Sequence, residues 1–256
     1  MPIETLTAAP DYALLVVVPV YDHEHAIARV VDGIRAAGLP CLLVDDGSSD
    51  ACAGVLRGLA RQPGVGLLRL PSNQGKGGAM LAGFADAARL GFTHALQIDA
   101  DGQHDTTELP RFAALSRRHP EAVICGIPAY DETVPKIRLY GRYATHILVW
   151  VSTLSLHLRD SMCGFRLYPL RPVQRVVAEE TIGRRMDFDT EILVRLYWRD
   201  VPVHHLATPV TYPSDGVSHY DVWRDNVRMS GMHARLLAGM LRRAPRLLRR
   251  RLQGRP

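Results

Sequence analysis

The first hundred residues repeat one pattern, in which a short and continuously apolar run is followed by a stretch with helical periodicity. The apolar runs are residues 14–18, 41–44, 66–70 and 93–98. After the first run a helix is predicted over 24–37, with Ile27 and Val31 on its apolar face. Strands buried on both faces that alternate with helices are typical of an α/β sheet. We therefore predict a Rossmann-like, mostly parallel sheet with helices on both faces.

The charge of the chain is unevenly distributed. All 26 acidic residues lie at or before Asp225, whereas nine of the 31 basic residues follow it. The net charge of +5 therefore comes from the tail, and residues 1–225 are mildly acidic. Because a nucleic-acid enzyme carries a basic surface around its site, this distribution argues against nucleic acid as a partner. We predict a main α/β domain over 1–225 and a basic amphipathic C-terminal helix over 226–256.

Cysteine usage and hydropathy bear on the cellular compartment. The cysteines at 41, 52, 125 and 163 form no Cys-x-x-Cys pair, so we predict buried thiols in a reducing compartment. Residues 1–13 lack the basic start and apolar core of a signal peptide. The uncharged stretch 143–158 is shorter than the ~20 residues that cross a bilayer, so it is predicted to be a core or an interfacial helix. We expect a cytoplasmic protein.

Each of the four predicted strands ends in a polar motif. These motifs are Tyr21-Asp22, Asp45-Asp46, residues 73–78 and residues 99–103. Ligands bind at the carboxyl ends of the strands in a doubly wound sheet, so the motifs are expected at one edge. Strand alternation would point Asp99 and Asp101 the same way, and two such carboxylates suit a hard divalent cation. The alternative is a polar strand end that caps the next helix.

Three nucleotide-binding classes are disfavoured by the loops. The segment Asn73 to Gly78 leads into a helix predicted over Ala79–Leu90, and Lys76 near the start of that helix could neutralise phosphates. The segment lacks the hydroxyl residue and the Gly spacing of a P-loop. The first strand leads into Pro-Val-Tyr-Asp rather than the Gly-rich fingerprint of a dehydrogenase. That position also lacks the Gly-rich loop with Arg and Lys expected of a nucleotidyltransferase.

Six motifs, in order, resemble the signatures of family 2 glycosyltransferases. The branch they are most similar to contains dolichol-phosphate mannosyltransferase and the bacterial polyprenyl-phosphate glycosyltransferases. The motifs are Val18-Pro19-Val20-Tyr21-Asp22, Val44-Asp45-Asp46-Gly47-Ser48-Ser49-Asp50, Asn73-Gln74-Gly75-Lys76-Gly77-Gly78-Ala79, Asp99-Ala100-Asp101-Gly102-Gln103-His104, the run from Asp160 to Tyr168, and the run from Phe188 to Leu193. Together they cover roughly residues 14–215.

The resemblance implies a GT-A fold, a UDP-sugar or GDP-sugar donor and a divalent cation, Mg²⁺ or Mn²⁺. It implies that Pro19, Tyr21 and Glu24 line the base and ribose and that Asp46 holds one of them. The cation that bridges the diphosphate would be surrounded by Asp99, Asp101 and Gln103. Such a cation stabilises the charge on the leaving diphosphate, which makes Asp101 a candidate catalytic residue.

The resemblance also bears on the acceptor. Arg166 belongs to an element expected near the sugar or the acceptor, in which Cys163 replaces the Ser of the family. If the acceptor is a hydroxyl, Asp187, Asp189 or Glu191 must act as general base. A lipid phosphate is already ionised at pH 7 and needs no strong base.

Residues 211–219 depart from the family pattern. They keep Gly216 and Ser218 but have no Arg, and His219 replaces a Lys. This weakens the case for a lipid-phosphate acceptor. The missing cation could come from Arg138, Arg142, Arg224 or His219.

The tail combines an apolar helical stripe with arginines. The stripe runs from Met229 through Leu236 to Leu241, and Pro245 is predicted to break the helix. Such a segment favours binding to anionic lipid at the inner face of the cytoplasmic membrane, and the alternative is a helix packed on the body. We therefore predict a metal-dependent, inverting glycosyltransferase with a lipid-linked or other membrane-associated acceptor. The alternative is a non-catalytic sugar-nucleotide-binding protein recruited to the membrane.

Overall fold

A computed structural model describes residues 11–129, 136–210 and 222–253, with only the backbone at 136–140 and 222. These residues form seven strands and eight α-helices. The strands are β1 (Leu14–Val20), β2 (Cys41–Asp45), β3 (Val65–Arg69), β4 (His94–Gln97), β5 (Val123–Ala129), β6 (Arg166–Pro169) and β7 (Val203–Pro209). The helices are α1 (Ile27–Ala36), α2 (Asp50–Leu59), α3 (Lys76–Arg89), α4 (Leu109–Arg118), α5 (Lys136–Thr153), α6 (Leu170–Glu179), α7 (Phe188–Trp198) and α8 (Val222–Leu252).

The strands form one sheet in the order β3-β2-β1-β4-β6-β5-β7. Every pairing is parallel except those of β6, which runs antiparallel to β4 and β5. The predicted mostly parallel sheet is thus confirmed. Neither β6 nor α6 was predicted, because β6 has only four residues and begins with a charged one, Arg166.

Helices cover both faces of this sheet, as predicted. Along β1, Leu15 and Val17 join the core formed with α3 and α5–α8, whereas Val16 and Val18 join the core formed with α1, α2 and α4. The alternation of side chains along a strand divides the residues in this way. Gly83 lets α3 lie close to the sheet, since an added Cβ would lie 2.6 Å from Val17 and 3.0 Å from Val44.

Two local differences from the sequence analysis affect the site. Helix α3 begins at Lys76 rather than at Ala79, so Lys76 belongs to its first turn. Strand β4 ends at Gln97, so Asp99 and Asp101 lie in the following turn and strand alternation does not orient them. The turn itself brings them together, with Gly102 at a φ of 72°.

Helix α8 also differs from its predicted form. It continues through Pro245 for 31 residues without a break, and position 226 lies inside it. The expected apolar stripe largely faces the protein, because Met232 and Leu236 are buried in the same core as β1, whereas Leu241 is 70% exposed. The alternative of a helix packed on the body therefore describes this stripe.

The four cysteines are free and buried, as predicted. Among the described residues, no helix has both the length and the apolar character that crossing a membrane requires.

Candidate active site

Two carboxylates, those of Asp99 and Asp189, meet one ammonium beyond the carboxyl end of β4. The Nζ atom of Lys76 lies 2.8 Å from Asp99 Oδ1 and 2.9 Å from Asp189 Oδ2, so it joins the turn after β4 to the start of α7. Gln97 Nε2 donates to the other oxygen of Asp189 at 2.8 Å. Burial alone would lower the pKa of Lys76, but Asp189 and Asp99 raise it overall, so the ammonium stays charged. We predicted that Lys76 neutralises phosphates, and in the structure its charge is instead engaged by these two carboxylates.

Asp101 lies next to this cluster, and within the described residues its carboxylate forms no ion pair. Its Oδ1 accepts the backbone N–H of Gln103 at 3.0 Å. Burial, and then the charge of Asp99, raise the pKa of Asp101, whereas Lys76 lowers the pKa of Asp99 against the effect of burial. Asp99 and Asp189 share one ammonium, and Asp101 adds a further negative charge beside Asp99. A hard divalent cation with oxygen ligands would relieve the remaining repulsion. The donor set of Asp99, Asp101 and Gln103 therefore fits Mg²⁺ or Mn²⁺.

Gly164 brings a second loop into contact with the cluster. A Cβ added to Gly164 would lie 2.5 Å from Lys76 Nζ and 2.8 Å from Asp99 Oδ2. Asp160 holds this loop, because its Oδ1 accepts the backbone N–H groups of Met162 and Cys163 at 2.8 Å each. Arg142 of α5 donates to the other Asp160 oxygen at 2.6 and 2.8 Å. Among the cations considered for an acceptor phosphate, Arg142 is thus engaged by Asp160.

Asp46 fixes the loop that precedes α3. Its two carboxylate oxygens accept the backbone N–H groups of Gln74 at 2.7 Å and Gly75 at 2.8 Å, and the residue is 2% exposed. The expectation was that Asp46 holds the base or ribose of the donor. The structure instead gives both of its oxygens to the loop, because the loop folds back over the end of β2.

The residues before α7 pack on the start of α3, a contact that the sequence analysis missed. Arg184 O accepts the N–H of Gly78 at 2.9 Å, and Arg185 donates to the side chain and the carbonyl of Asn73. A Cβ on Gly75, which has a φ of 87°, would lie 2.6 Å from Arg184 O. Gly75 and Gly77 are therefore required by the close packing of residues 183–188. Their resemblance to a phosphate loop concealed that role.

Glu191, one of the three candidate general bases for a hydroxyl acceptor, is engaged by two arginines in the structure. Glu191 is fully buried, and its Oε1 lies 2.6 Å from Arg195 Nη2. Its Oε2 accepts from Arg235 of α8 at 2.9 Å and from the backbone N–H of Gly183 at 2.8 Å. With both oxygens engaged in a buried network, Glu191 ties α8 to the segment that covers the start of α3.

Arg166 is also placed differently from its predicted position at the donor or acceptor. It is fully buried in β6 and donates to the carbonyls of Asp189 at 2.6 Å, Cys163 at 3.1 Å and Ser161 at 3.2 Å. Its guanidinium therefore joins the loop of Gly164 to the start of α7. A ligand in the cleft cannot reach it without moving these elements.

The residues predicted to line the base and ribose lie after β1. Pro19 is half-buried and pairs with Val44 of β2, and Tyr21 and Glu24 are half-buried in the loop that follows. Carboxylate oxygens of Asp22 and Glu24 and the Cys52 sulfur lie within 4.8 Å of one another. Burial raises the pKa of the Cys52 thiol, which keeps it protonated and makes this group a poor site for a hard cation.

His104 closes the cluster on the side of β7. Its Nε2 lies 3.9 Å from Asp99 Oδ2. Its ring is tilted against that of Phe165, with the centroids 5.1 Å apart, and its backbone forms an isolated bridge with Val210. Burial lowers the pKa of His104, so the imidazole is neutral at pH 7. We did not assign a role to His104, although it ends the fourth motif. Residues 211–219, whose departure from the family pattern concerns the acceptor, lie outside the described residues, as do residues 130–135.

Known proteins were compared with the chain. A family model described as Glycosyl transferase family 2 matches residues 15–176. A dolichyl-phosphate beta-glucosyltransferase of Drosophila melanogaster is 29% identical over 230 residues, which are 79% of this chain and 68% of the relative. A polyprenol monophosphomannose synthase of Mycolicibacterium smegmatis is 33% identical over 109 residues, which are 41% of each chain.

Among solved structures, the chain is similar to glucosyl-3-phosphoglycerate synthase from Mycobacterium tuberculosis, crystallised with Mn²⁺, UDP and glucosyl-3-phosphoglycerate. The TM-score is 0.66 at 15% identity, over 90% of this chain and 80% of that one. At this identity the likeness concerns the fold, and it confirms the GT-A architecture that the motifs implied.

Proposed function

The chain belongs to glycosyl transferase family 2, and from this premise we propose that it transfers a sugar from a nucleoside diphosphate donor to a polyprenyl phosphate. The observation that carries the proposal is the ion-paired group of Asp99, Lys76 and Asp189 at the carboxyl edge of the sheet, with the charge of Asp101 acting on Asp99. This is the edge at which α/β sheets bind nucleotides. The carboxylates outnumber the ammonium, so they suit a ligand that arrives with a divalent cation.

The donor is a UDP-sugar or a GDP-sugar. Asp99, Asp101 and Gln103 would hold Mg²⁺ or Mn²⁺, which when bound would stabilise negative charge on the diphosphate. The ion pair with Lys76 keeps Asp99 in position. Gly164 leaves room for this ion pair because it has no side chain. Tyr21 and Glu24, in the loop after β1, are suitably placed for the base and ribose.

The state of the candidate bases supports a phosphate acceptor. Asp189 is engaged by Lys76 and Gln97, Glu191 by two arginines, and Asp187 by the backbone N–H of Arg185 at 3.1 Å. The proposal therefore assigns the role of general base to none of these three carboxylates. An ionised phosphate oxygen needs no base. It can attack the anomeric carbon as the bond to the diphosphate oxygen breaks, which inverts the configuration of that carbon.

The names of two relatives support this acceptor class, since one is a dolichyl-phosphate beta-glucosyltransferase and the other a polyprenol monophosphomannose synthase. A polyprenyl phosphate resides in a bilayer, so we also propose that the enzyme works at the cytoplasmic face of the membrane. Outward-facing Leu241, Leu248 and Leu252 are 70%, 48% and 89% exposed, and the exposed Arg242 and Arg249 lie among them. Each arginine near an anionic surface contributes about 1 kcal/mol to binding.

The test is a transfer assay with the purified protein, Mn²⁺, labelled UDP-sugars and GDP-sugars, and a short polyprenyl phosphate in detergent. We expect a labelled polyprenyl phosphate sugar and an equal amount of nucleoside diphosphate, both lost in Asp101→Ala. Asp32→Ala, which changes an exposed acid on α1, is the matched control. Transfer to the polyprenol but not to its phosphate would refute the acceptor. A folded protein that binds no sugar nucleotide from either series would refute the donor.

A further inference from the structure

A pocket of about 440 Å³ opens between α6, α7 and α8. Val201, in its wall, precedes β7, so the pocket lies toward the amino ends of the parallel strands. The candidate active site lies at their carboxyl ends. Helix α7 links the two, with Asp189 at one end and Trp198 at the other, roughly 14 Å apart at 1.5 Å per residue. The pocket is therefore separate from the donor site.

The wall of this pocket is strongly cationic. It contains Arg175 of α6, Arg199 after α7, and Arg243 and Arg246 of α8, against the single carboxylate of Glu179. A floor is provided by Trp198, which is 2% exposed and lies under the Arg243 guanidinium at 4.7 Å. Three separate helical segments thus direct guanidinium groups toward one space.

Neighbouring acids neutralise only part of this charge. Arg199 donates to Glu179 and to Glu180 at 2.6 Å each, and Arg243 donates to Glu180 at 3.3 Å. Arg246 pairs with Asp200. Glu180 also forms an ion pair with Arg195, so its single carboxylate pairs with three guanidinium groups.

Arg175 adds a charge without such a partner. It is exposed on α6, and within the described parts of the chain no carboxylate forms an ion pair with it. The crowding of cations affects buried Arg195 and half-buried Arg243. Burial, followed by the charges of neighbouring arginines, lowers the pKa of Arg195 to about 10 and also lowers the pKa of Arg243.

From this arrangement we infer that the pocket binds a phosphate-bearing anion through Arg175, Arg199, Arg243 and Arg246. Guanidinium groups present paired N–H donors that match two oxygens of a phosphate, and several of them converge here. A dianion would neutralise the excess charge and link α8 to α6 and α7. The phosphate could belong to a soluble compound or to a lipid headgroup, since both present the same group.

Arg175 gives the sharpest test, because its replacement breaks no ion pair that holds the fold. We would titrate metal-free protein with sodium phosphate, against sodium chloride at equal ionic strength, and measure the melting temperature and the heat of binding. We expect phosphate, but not chloride, to raise the melting temperature. Arg175→Gln is expected to weaken phosphate binding by about tenfold, as for the loss of one charge-assisted hydrogen bond. Arg171→Gln, an exposed arginine of the same helix outside the pocket, is the matched control and should bind as the wild type does.

A second experiment distinguishes the sources of the phosphate. Flotation with phosphatidylcholine vesicles that contain phosphatidic acid is compared with vesicles that contain phosphatidylserine at equal surface charge. Arg175-dependent preference for phosphatidic acid identifies a headgroup, and phosphate binding without that preference identifies a soluble ligand. The inference is overturned if phosphate has no effect beyond that of chloride, or if Arg175→Gln binds phosphate as tightly as Arg171→Gln does.

Discussion

Replacing Gly164 by alanine is expected to disable the site while leaving the fold intact. The new Cβ would lie 2.5 Å from Lys76 Nζ and 2.8 Å from Asp99 Oδ2, where ordinary contacts are 3.4 Å or more. The backbone of Gly164 does not have a positive φ, so alanine introduces no backbone strain there. Arg166 and Asp160 hold the loop, so the ammonium of Lys76 must move, by about 1 Å. A misplacement of that size can lower kcat/KM by about 100-fold.

The assay is kcat/KM for sugar transfer, measured beside the free energy of unfolding. Overpacking costs about 1–3 kcal/mol, which a folded protein tolerates, so the fall in activity should exceed what any unfolded fraction explains. Gly58→Ala is the matched control, because it is the same substitution in α2 at a position where a Cβ meets nothing within 4 Å. Wild-type kcat/KM in Gly164→Ala would refute the claim that the Lys76–Asp99 pair positions the reacting groups.

Three further predictions follow from buried charges and from the proline in α8. Burial and Asp99 raise the pKa of Asp101, so the native state gains stability when that group is protonated. With a chelator present to remove divalent cations, Asp101→Asn should therefore have a higher melting temperature than the wild type at pH 7. The difference should shrink as the pH falls through the native pKa of Asp101. An unchanged or lower melting temperature at pH 7 would contradict this. Arg235→Gln removes one of the two guanidinium groups that pair with buried Glu191, so it should lower the melting temperature and raise KM for the donor. Arg242→Gln, at an exposed position of the same helix, should change neither. Pro245→Ala should raise the free energy of unfolding by up to about 3 kcal/mol, because it restores a backbone N–H donor within α8. Denaturant titration measures this change, and a loss of stability would contradict the reasoning.

The fold could be predicted from the first hundred residues because its signals are local. Apolar runs and helical periodicity identify each element, and the edge that binds ligands follows from the parallel topology. The same reasoning predicted that Lys76 and Asp99 lie at one edge of the sheet, although they are 23 positions apart in the sequence. Strand β6 escaped this approach because its burial depends on partners, β4 and β5, rather than on its own four residues.

The roles of charged residues were harder to predict, because their partners lie far along the chain. Glu191 looks like a catalytic acid in its motif, yet Arg235 is 44 positions away and fixes it as a structural group. Arg166 likewise finds its acceptors at backbone carbonyls, to which sequence patterns give no clue. Motif analysis therefore identifies which carboxylates gather, and the hydrogen-bond partners decide which of them remain available for a ligand.

The C-terminal helix shows why this distinction matters for function. Its amphipathic pattern favoured a membrane-binding helix. In the structure its apolar side is part of the core, and its Arg235 forms an ion pair with Glu191. Glu191 in turn holds the N–H of Gly183, whose neighbour Arg184 accepts from Gly78 in the first turn of α3. That turn begins with Lys76, the cation that pairs with Asp99 and Asp189 in the candidate active site. A continuous series of hydrogen bonds thus joins α8 to the active site, so a change that loosens α8 should reach donor binding as well as any membrane contact.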